Sequence, residues 1–389
     1  MLQEESIIGM AERYGFTSAP HVEKFIMCFE AHRRIAQEME CAVRGGLCMP
    51  FHQPDFEVRR MSIDVDIVSP CTVAEVDRAI GRIGGDGLTC RKHSPSDPYP
   101  IDNLVSYRVT FSSCLGGDSS IKIDAFCGAD LGLAFRQIPA GSRILDFGIL
   151  QNMTILSRGA LLADKSTTLA LETIGLKPPK ETEIAKQLYD IAVLLRPAGR
   201  DDLETAYDSY TKMTGFKAAS YRRDPPYTIP EIASDAAGSI RGLLSFDNAV
   251  TVTGAQHKRY TDFCGSYLST RRAYRKTEHV ADVLLAYLLS LSLRRYSTPA
   301  TSGHGGSDDG LGKMGEVDSM HQVLEEVSAL GQRSRESGRR PTDEDRQVRA
   351  ESVQAIPDSF VNKKILRGAQ LEHVLLVRAL SAISPPLTP

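Results

Sequence analysis

Two hydrophobic rhythms divide this chain. Near the N-terminus Phe25, Phe29, Ile35 and Met39 recur at helical spacing, and the pattern predicts helices over 2–13 and 20–39. From Ala42 to Phe126 the period falls to two and strands dominate. They are interrupted at 72–83, where Val73, Val76, Ala79, Ile80 and Ile83 trace one face of a helix. After Ser157 helical spacing returns, over 158–174, 181–196, 201–214, 230–244 and 257–296. From Thr298 to Gln347 neither rhythm persists. Gly303 to Gly312 is rich in glycine and aspartate, Arg333 to Arg346 is a run of mixed charge, and Val317 to Leu330 alone can form one short helix. A last amphipathic helix is predicted over 359–383, ahead of Pro385 and Pro386. The pattern therefore predicts an α+β chain in four parts: 1–150, a mixed sheet with flanking helices; 151–297, a mainly helical domain; 298–347, a flexible linker; and 348–389, a C-terminal helix.

The segment Arg59–Val68 carries charge inside an apolar strand pattern. Side chains two apart in a strand leave from one face, so Asp64 and Asp66 point the same way and Ile63, Val65 and Ile67 point into a core. Adjacent carboxylates repel unless a cation sits between them. A hard divalent ion, most often Mg²⁺ arriving with substrate phosphates, is the usual solution. A solvated polar strand face is the plainer alternative. Arg60 and Ser62 share the aspartate face, within reach of a phosphate. Upstream, Glu40–Leu47 reads as a short strand running into Gly45 and Gly46, where backbone N–H groups can approach an anion; an ordinary tight turn would use the same glycines. Downstream, 105–111 and 121–126 read as a hairpin around Gly116, Gly117 and Asp118. Lys122, Asp124 and Phe126 share one face of its second strand, so Asp124 is available as a third carboxylate. Three strand carboxylates can hold two metal ions roughly 3.5–4 Å apart for displacement at phosphorus.

Glycine pair, R-x-S-x-D-x-D strand and later strand carboxylate together resemble the nucleotidyltransferase superfamily, and within it the AbiEii toxin branch of type IV toxin–antitoxin and abortive-infection systems. Two further segments carry the narrower resemblance. Ala160–Leu171 is similar to that branch's lysine-bearing helix, and Lys186–Ile191 is similar to its K-D-L-Y-D-L segment. The resemblance covers about residues 35–200. It implies a nucleotidyltransferase-like mixed sheet and a Mg²⁺-dependent transfer of NMP from an NTP. Asp64, Asp66 and Asp124 would be metal ligands, with Asp124 alternatively a general base. Gly45, Gly46, Arg60, Ser62 and Lys165 would hold the nucleotide, and Asp190 would orient Lys165 or the incoming base. It further implies an RNA acceptor, since several members modify tRNA, with a tRNA 3′ end as the expected acceptor here, and a cognate antitoxin. Two positions depart from the pattern: Leu47 stands where the family commonly has Ser or Thr, and Gln187 stands at the first aspartate of K-D-L-Y-D.

Composition leaves room for this reading. A chain of 389 residues with 42% hydrophobic content can bury more than one core. A net charge of −3 supplies no global attraction to nucleic acid, so a basic surface would have to be local. The longest apolar run, around Val280–Leu293, is broken by Ser290 and Ser292, which predicts no membrane span. Residues 1–15 carry Glu4, Glu5 and Glu12 and lack a signal-peptide core. Eight cysteines without CxxC pairing read as reduced thiols, hence a cytoplasmic protein. One local basic region exists: His257, Lys258, Arg259, Arg271, Arg272, Arg275, Lys276, Arg294 and Arg295, with Tyr260, Tyr267 and Tyr274 spaced by sevens among them. Such interleaving suits RNA phosphates and bases, although seven-residue tyrosine spacing is commonly core packing. Two classes of function therefore stand: an enzyme modifying RNA, or a protein hydroxyl, and an inactive member of the fold that binds RNA or a partner.

Overall fold

The computed structural model of the chain describes residues 3–85, 87–93, 101–128, 131–177, 183–221, 223–246, 250–271, 273–298, 309–336, 343–356, 366 and 371–383. It divides into two units, one comprising Met1–Asp164, Gly215–Pro226 and Asp262–Ala273, the other Lys165–Thr214, Tyr227–Thr261 and Tyr274–Pro389.

The first unit opens with α1 (Glu4–Tyr14) and α2 (Ala19–Glu38). Ser18 caps α2 by accepting from the His21 amide, and Pro20 occupies its first turn, where a missing N–H costs nothing. The α2 face of Val22, Phe25, Ile26, Phe29 and Ile35 is buried. The strands are β1 (Ala42–Arg44), β2 (Asp64–Val68), β3 (Leu88–His93), β4 (Leu104–Ser112), β5 (Asp118–Phe126), β6 (Phe135–Ile138), β7 (Arg143–Ile144), β8 (Phe147–Gly148) and β9 (Met153–Leu156). Seven form one mixed sheet in the order β3-β4-β5-β2-β1-β9-β6, while β7 and β8 pair with each other. The D-x-D strand β2 is the middle strand, parallel to β5 and antiparallel to β1. Its Val65 and Ile67 are fully buried, which fixes the register and turns both aspartates to the other face. Helix α3 (Val73–Arg82) starts at a reciprocal Thr72–Glu75 capping box and buries Val76, Ala79 and Ile80.

The division falls inside α4 (Arg158–Thr167), between Asp164 and Lys165. The second unit is helical: α5 (Glu183–Leu195), α6 (Arg200–Ser220) as far as Thr214, α7 (Ile229–Arg241), the small pair β10 (Leu244–Ser245) and β11 (Thr251–Val252), α8 (Gly254–Tyr267) as far as Thr261, α9 (Lys276–Ser297), α10 (Asp309–Glu336), α11 (Asp343–Ala355) and α12 (Leu371–Ile383). Helix α9 is buried on every side from His279 to Leu293 and packs against α5, α7, α10 and α12, which accounts for the longest apolar run in the chain. Among the described residues no helix is long and apolar enough to cross a membrane, and no cysteine is in a disulfide.

Several expected elements change length. The strand predicted to start at Arg59 begins at Asp64, because Arg59–Met61 is tied to another segment of the unit: Met61 N–H donates to Tyr267 O at 3.1 Å and Ser269 N–H to Arg59 O at 3.0 Å. The helix expected over 257–296 is two helices, α8 and α9. The expected linker 298–347 contains the 28-residue α10, longer than Val317–Leu330, because Val317, Met320, Leu324 and Val327 form one buried stripe that polar flanks extend. Helix α11 was not expected. Of the last predicted helix, 371–383 is observed, and 359–365 with 367–370 lie outside the described residues.

Candidate active site

The aspartates of β2 and β5 are set by pairing register. Parallel pairing places Asp66 beside Asp124, and β4 pairing places Ser106 beside Asp124; on the other side Arg44 of β1 is opposite Asp66. Arg44, Asp66, Asp124 and Ser106 thus form one row across four strands, with side chains on one face. The next row along that face is Asp64, Lys122 and Arg108. Both aspartates of β2, together with Lys122 and Asp124, are half-buried between fully buried Val65, Ile67, Ile123 and Ala125. Asp124 is engaged at both oxygens: Ser106 Oγ donates to Oδ1 at 2.5 Å and Lys122 Nζ to Oδ2 at 2.7 Å. Burial opposes the Lys122 charge, but Asp124, and beyond it Asp64 and Asp66, outweigh that and raise the ammonium's pKa. The same two β2 carboxylates add to burial in raising the pKa of the Cys28 thiol.

The glycine pair packs directly on these side chains. Gly45 adopts φ +71°, and a Cβ there would strike Asp66 Oδ2; a Cβ on Gly46 would strike Ser62 Oγ and the Arg60 guanidinium. The glycines therefore bring Asp66, Ser62 and Arg60 against one turn. Arg60 and Ser62 are buried, and Arg60 Nη1 donates to Met61 O at 3.0 Å. The chain after the glycines is a 3₁₀ helix, Gly45–His52, buried throughout, in which Leu47 is a core residue with no exposed surface.

A second group of charges is bonded to the Arg44 end of the row. Arg44 holds Asp164 through Nη2–Oδ1 at 2.9 Å and Nε–Oδ2 at 3.3 Å, and Lys217 Nζ reaches the same Oδ1 at 3.1 Å. Burial disfavours the Arg44 charge, yet Asp164 and Asp66 more than offset it and its pKa rises. Lys217 is brought down to about 8 by burial, with Arg44 adding to the decrease and Asp164 opposing it. The Arg44 guanidinium also sits 4.5 Å from the Phe126 ring centroid. Sequence reasoning missed this trio. Residues 44, 164 and 217 share no local pattern, and the one available hint was that Arg44 and Asp164 adjoin the glycine and lysine motifs.

The remaining predicted residues belong to the second unit and pair with each other: Lys165 Nζ bonds Asp190 Oδ2 at 2.8 Å, with both side chains buried. Gln187, one helical turn before Asp190 on α5, is also buried, and its Oε1 has no hydrogen-bond partner among the described residues. The structure thus brings Gly45, Gly46, Arg60, Ser62, Asp64, Asp66 and Asp124 together, and Lys165 with Asp190 separately. The model of the nucleotidyl transferase AbiEii toxin family, of type IV toxin–antitoxin systems, matches residues 32–279 of the 389. The chain belongs to the AbiEii family. No curated relative matches it. As an AbiEii protein it carries the nucleotidyltransferase-fold sheet, and its class is a nucleotidyltransferase toxin, for which a nucleotide substrate and an antitoxin partner follow at family level.

Within this AbiEii site the donor set is hard oxygen, which suits Mg²⁺. Asp64 and Asp66 are neighbouring carboxylates on one face of β2, and Asp124 beside Asp66 is bonded to Ser106 and Lys122. Among the described residues no three Asp, Glu, His or Cys side chains converge closely enough to hold a metal. The tyrosine pattern does not form a stacking surface. Tyr260 Oη donates to Tyr274 O at 2.6 Å and Tyr274 Oη donates to buried Asp282, while Tyr267, in the first unit, stacks on His21. The basic run is divided between α8, the segment after it and α9, Arg295 pairs with Glu316 at 3.1 Å, and Arg272 lies outside the described residues.

Proposed function

We propose that this AbiEii protein transfers a nucleoside monophosphate from a Mg²⁺-bound NTP to the 3′ end of an RNA, a tRNA in particular, and thereby blocks translation. The observation that carries the reading is the row of Asp66 and Asp124, with Asp64 one step along, set against the Gly45–Gly46 turn. Nucleotidyl transfer asks mainly for positioning and charge neutralisation, and the site is built from those parts. Asp64 and Asp66 would hold the metal, which when bound neutralises the triphosphate and acidifies an attacking hydroxyl. Asp124, kept oriented by Ser106, accepts the hydroxyl proton or joins the ligand set. Arg60, Ser62 and the glycine amides hold phosphate oxygens, and with a core leucine at position 47 they do so without a hydroxyl directly after the glycines. By the family resemblance, Lys165 would be a phosphate-binding ammonium and Asp190 its orienting partner. The RNA acceptor is supported by the family resemblance and not by the tyrosine-rich basic run, whose rings are used in packing.

The test incubates the full chain with Mg²⁺, total tRNA and each α-labelled NTP in turn. Label is expected on RNA with one nucleotide preferred, and Asp66→Ala is expected to lower incorporation by at least about a thousandfold, since transition-state charge loses its counter-ion. Label on protein alone would move the acceptor to a protein hydroxyl. No incorporation from any NTP would leave a binding member of the fold.

A further inference from the structure

The sheet face that carries the aspartates continues to the edge strand β3, and its charge changes sign on the way. Register places Lys122 of β5 beside Asp64, Arg108 of β4 beside Lys122, and Arg91 of β3 beside Arg108. Three cations therefore follow one carboxylate in a single row across four strands, about 14 Å long at the usual strand spacing. Lys122 keeps Asp124 as its partner. Arg91 and Arg108 are exposed, and neither side chain has an ion pair or hydrogen bond among the described residues. Strands β3 and β4 contain no acidic residue. The row beyond the cations is Thr89, Thr110 and Ser120, hydroxyls alone. The other face of these strands is the covered one, with Val105, Val109 and Phe111 buried and Tyr107 and Lys92 bonded to Asp77 of α3.

Like charges directly opposite each other weaken a sheet. This sheet has that arrangement twice in succession, at Arg91–Arg108 and Arg108–Lys122, with no carboxylate on β3 or β4 to offset it. An anion with repeated charges, lying along the row, relieves both. A guanidinium matches the two free oxygens of a phosphodiester in bidentate fashion, and hydroxyls alongside suit sugar and phosphate oxygens. We propose that Arg91 and Arg108 form a track for the sugar–phosphate backbone of an RNA strand, which crosses β3 and β4 and brings its end to the aspartate face at Asp64. The inference rests on the RNA-acceptor reading above and gives the acceptor a route: over the β3 edge of the first unit, not over the tyrosine-rich run. Contacts to phosphate fix position and carry no sequence information, so the track accepts any RNA sequence. Its cations also offset the repulsion between an approaching RNA end and the carboxylates.

The experiment follows the fluorescence anisotropy of 5′-labelled oligouridylate and 5′-labelled tRNA with the full chain, without NTP, over a salt series. Arg91→Gln/Arg108→Gln is expected to weaken both RNAs at least about tenfold at about 0.1 M salt. The slope of log K against log salt should fall by about 1.4, at about 0.7 for each single-strand phosphate contact. The variant should melt no lower than wild type, because it removes opposed charges. Arg91→Lys/Arg108→Lys keeps the charges and should keep the slope. Lys258→Gln/Lys276→Gln removes the same charge from α8 and α9 and should bind as wild type. In the transfer assay the glutamine variant should raise KM for RNA and leave KM for NTP unchanged. Wild type that binds neither RNA, a glutamine variant that binds as wild type, or an equal loss in the α8 and α9 control would overturn the track. So would a rise in KM for NTP alone, which would give the arginines to the triphosphate. The two levels separate cleanly. RNA binding that needs the arginines, with no transfer from any NTP, sinks the transfer reading and keeps the track; transfer to RNA that ignores the arginines sinks the track alone.

Discussion

Each unit contains a lysine–aspartate pair of nearly equal length, and the two pairs are in opposite surroundings. Lys122–Asp124 is 2.7 Å long with 33% and 24% of the side chains exposed; Lys165–Asp190 is 2.8 Å with 4% and 0%. Distance alone would rank them together. Burial separates them, because a charge in contact with water can lose its partner at little cost and a charge inside a core cannot. The partly exposed pair is therefore suited to being broken during a reaction cycle, and the buried pair to fixing where an ammonium is held.

The largest expected effect comes from removing one member of the buried pair. Asp190→Ala leaves the Lys165 ammonium in a core without its 2.8 Å partner and should destabilise the second unit by about 3–5 kcal/mol. Urea denaturation reads this directly. The double variant Lys165→Met/Asp190→Leu replaces both charges with apolar groups and should lose clearly less than the single one. Equal losses for the two variants would mean the side chains contribute through packing, and the contrast with Lys122–Asp124 would not be electrostatic.

A smaller effect tests what holds the open face in place. Gly45→Ala combines a left-handed backbone, disfavoured by about 1–2 kcal/mol for an L-residue, with a clash against Asp66 Oδ2. Gly116 also has a positive φ, +101°, but open space around it, so Gly116→Ala carries the backbone cost alone. Both should lose about 1–2 kcal/mol or somewhat more in denaturation, while Gly45→Ala alone should lose Mg²⁺ binding. Retained binding in Gly45→Ala would show that Asp66 is positioned by its strand and not by the turn.

The sequence carried the parts of this arrangement that depend on local spacing. Asp64 and Asp66 on one face, Lys122 with Asp124 on another strand, and the strand–helix alternation around them all follow from period two and its interruption at Thr72, where the capping box forms as the residue types demand. What spacing could not supply was register. That Asp66 lies beside Asp124 is fixed by parallel pairing of two strands joined through a helix and two further strands, and nothing in either strand names its neighbour. The Arg44–Asp164–Lys217 trio was invisible for the same reason at larger separation. Lys165 and Asp190 came from family motifs, since an apolar helix with one lysine is ordinary without them. Heptad arithmetic misled for Tyr260, Tyr267 and Tyr274 because it assumed one helix. The chain leaves α8 at Tyr267 and Tyr274 sits in the connection before α9, where its hydroxyl serves Asp282.

The smallest expected effect concerns the partly exposed pair. Lys122→Met removes one partly solvated ion pair whose carboxylate keeps the Ser106 hydrogen bond, so the loss should be about 1 kcal/mol or less, a few degrees at most in melting temperature. The added repulsion among Asp64, Asp66 and Asp124 is included in that figure, and a divalent ion relieves it. Saturating Mg²⁺ should therefore raise the melting temperature of Lys122→Met by more than that of wild type, because an ion that binds the folded state more tightly stabilises it more. A loss above about 3 kcal/mol, unrelieved by Mg²⁺, would make Lys122 as fixed a part of the fold as Lys165. The two pairs would then differ in exposure without differing in role.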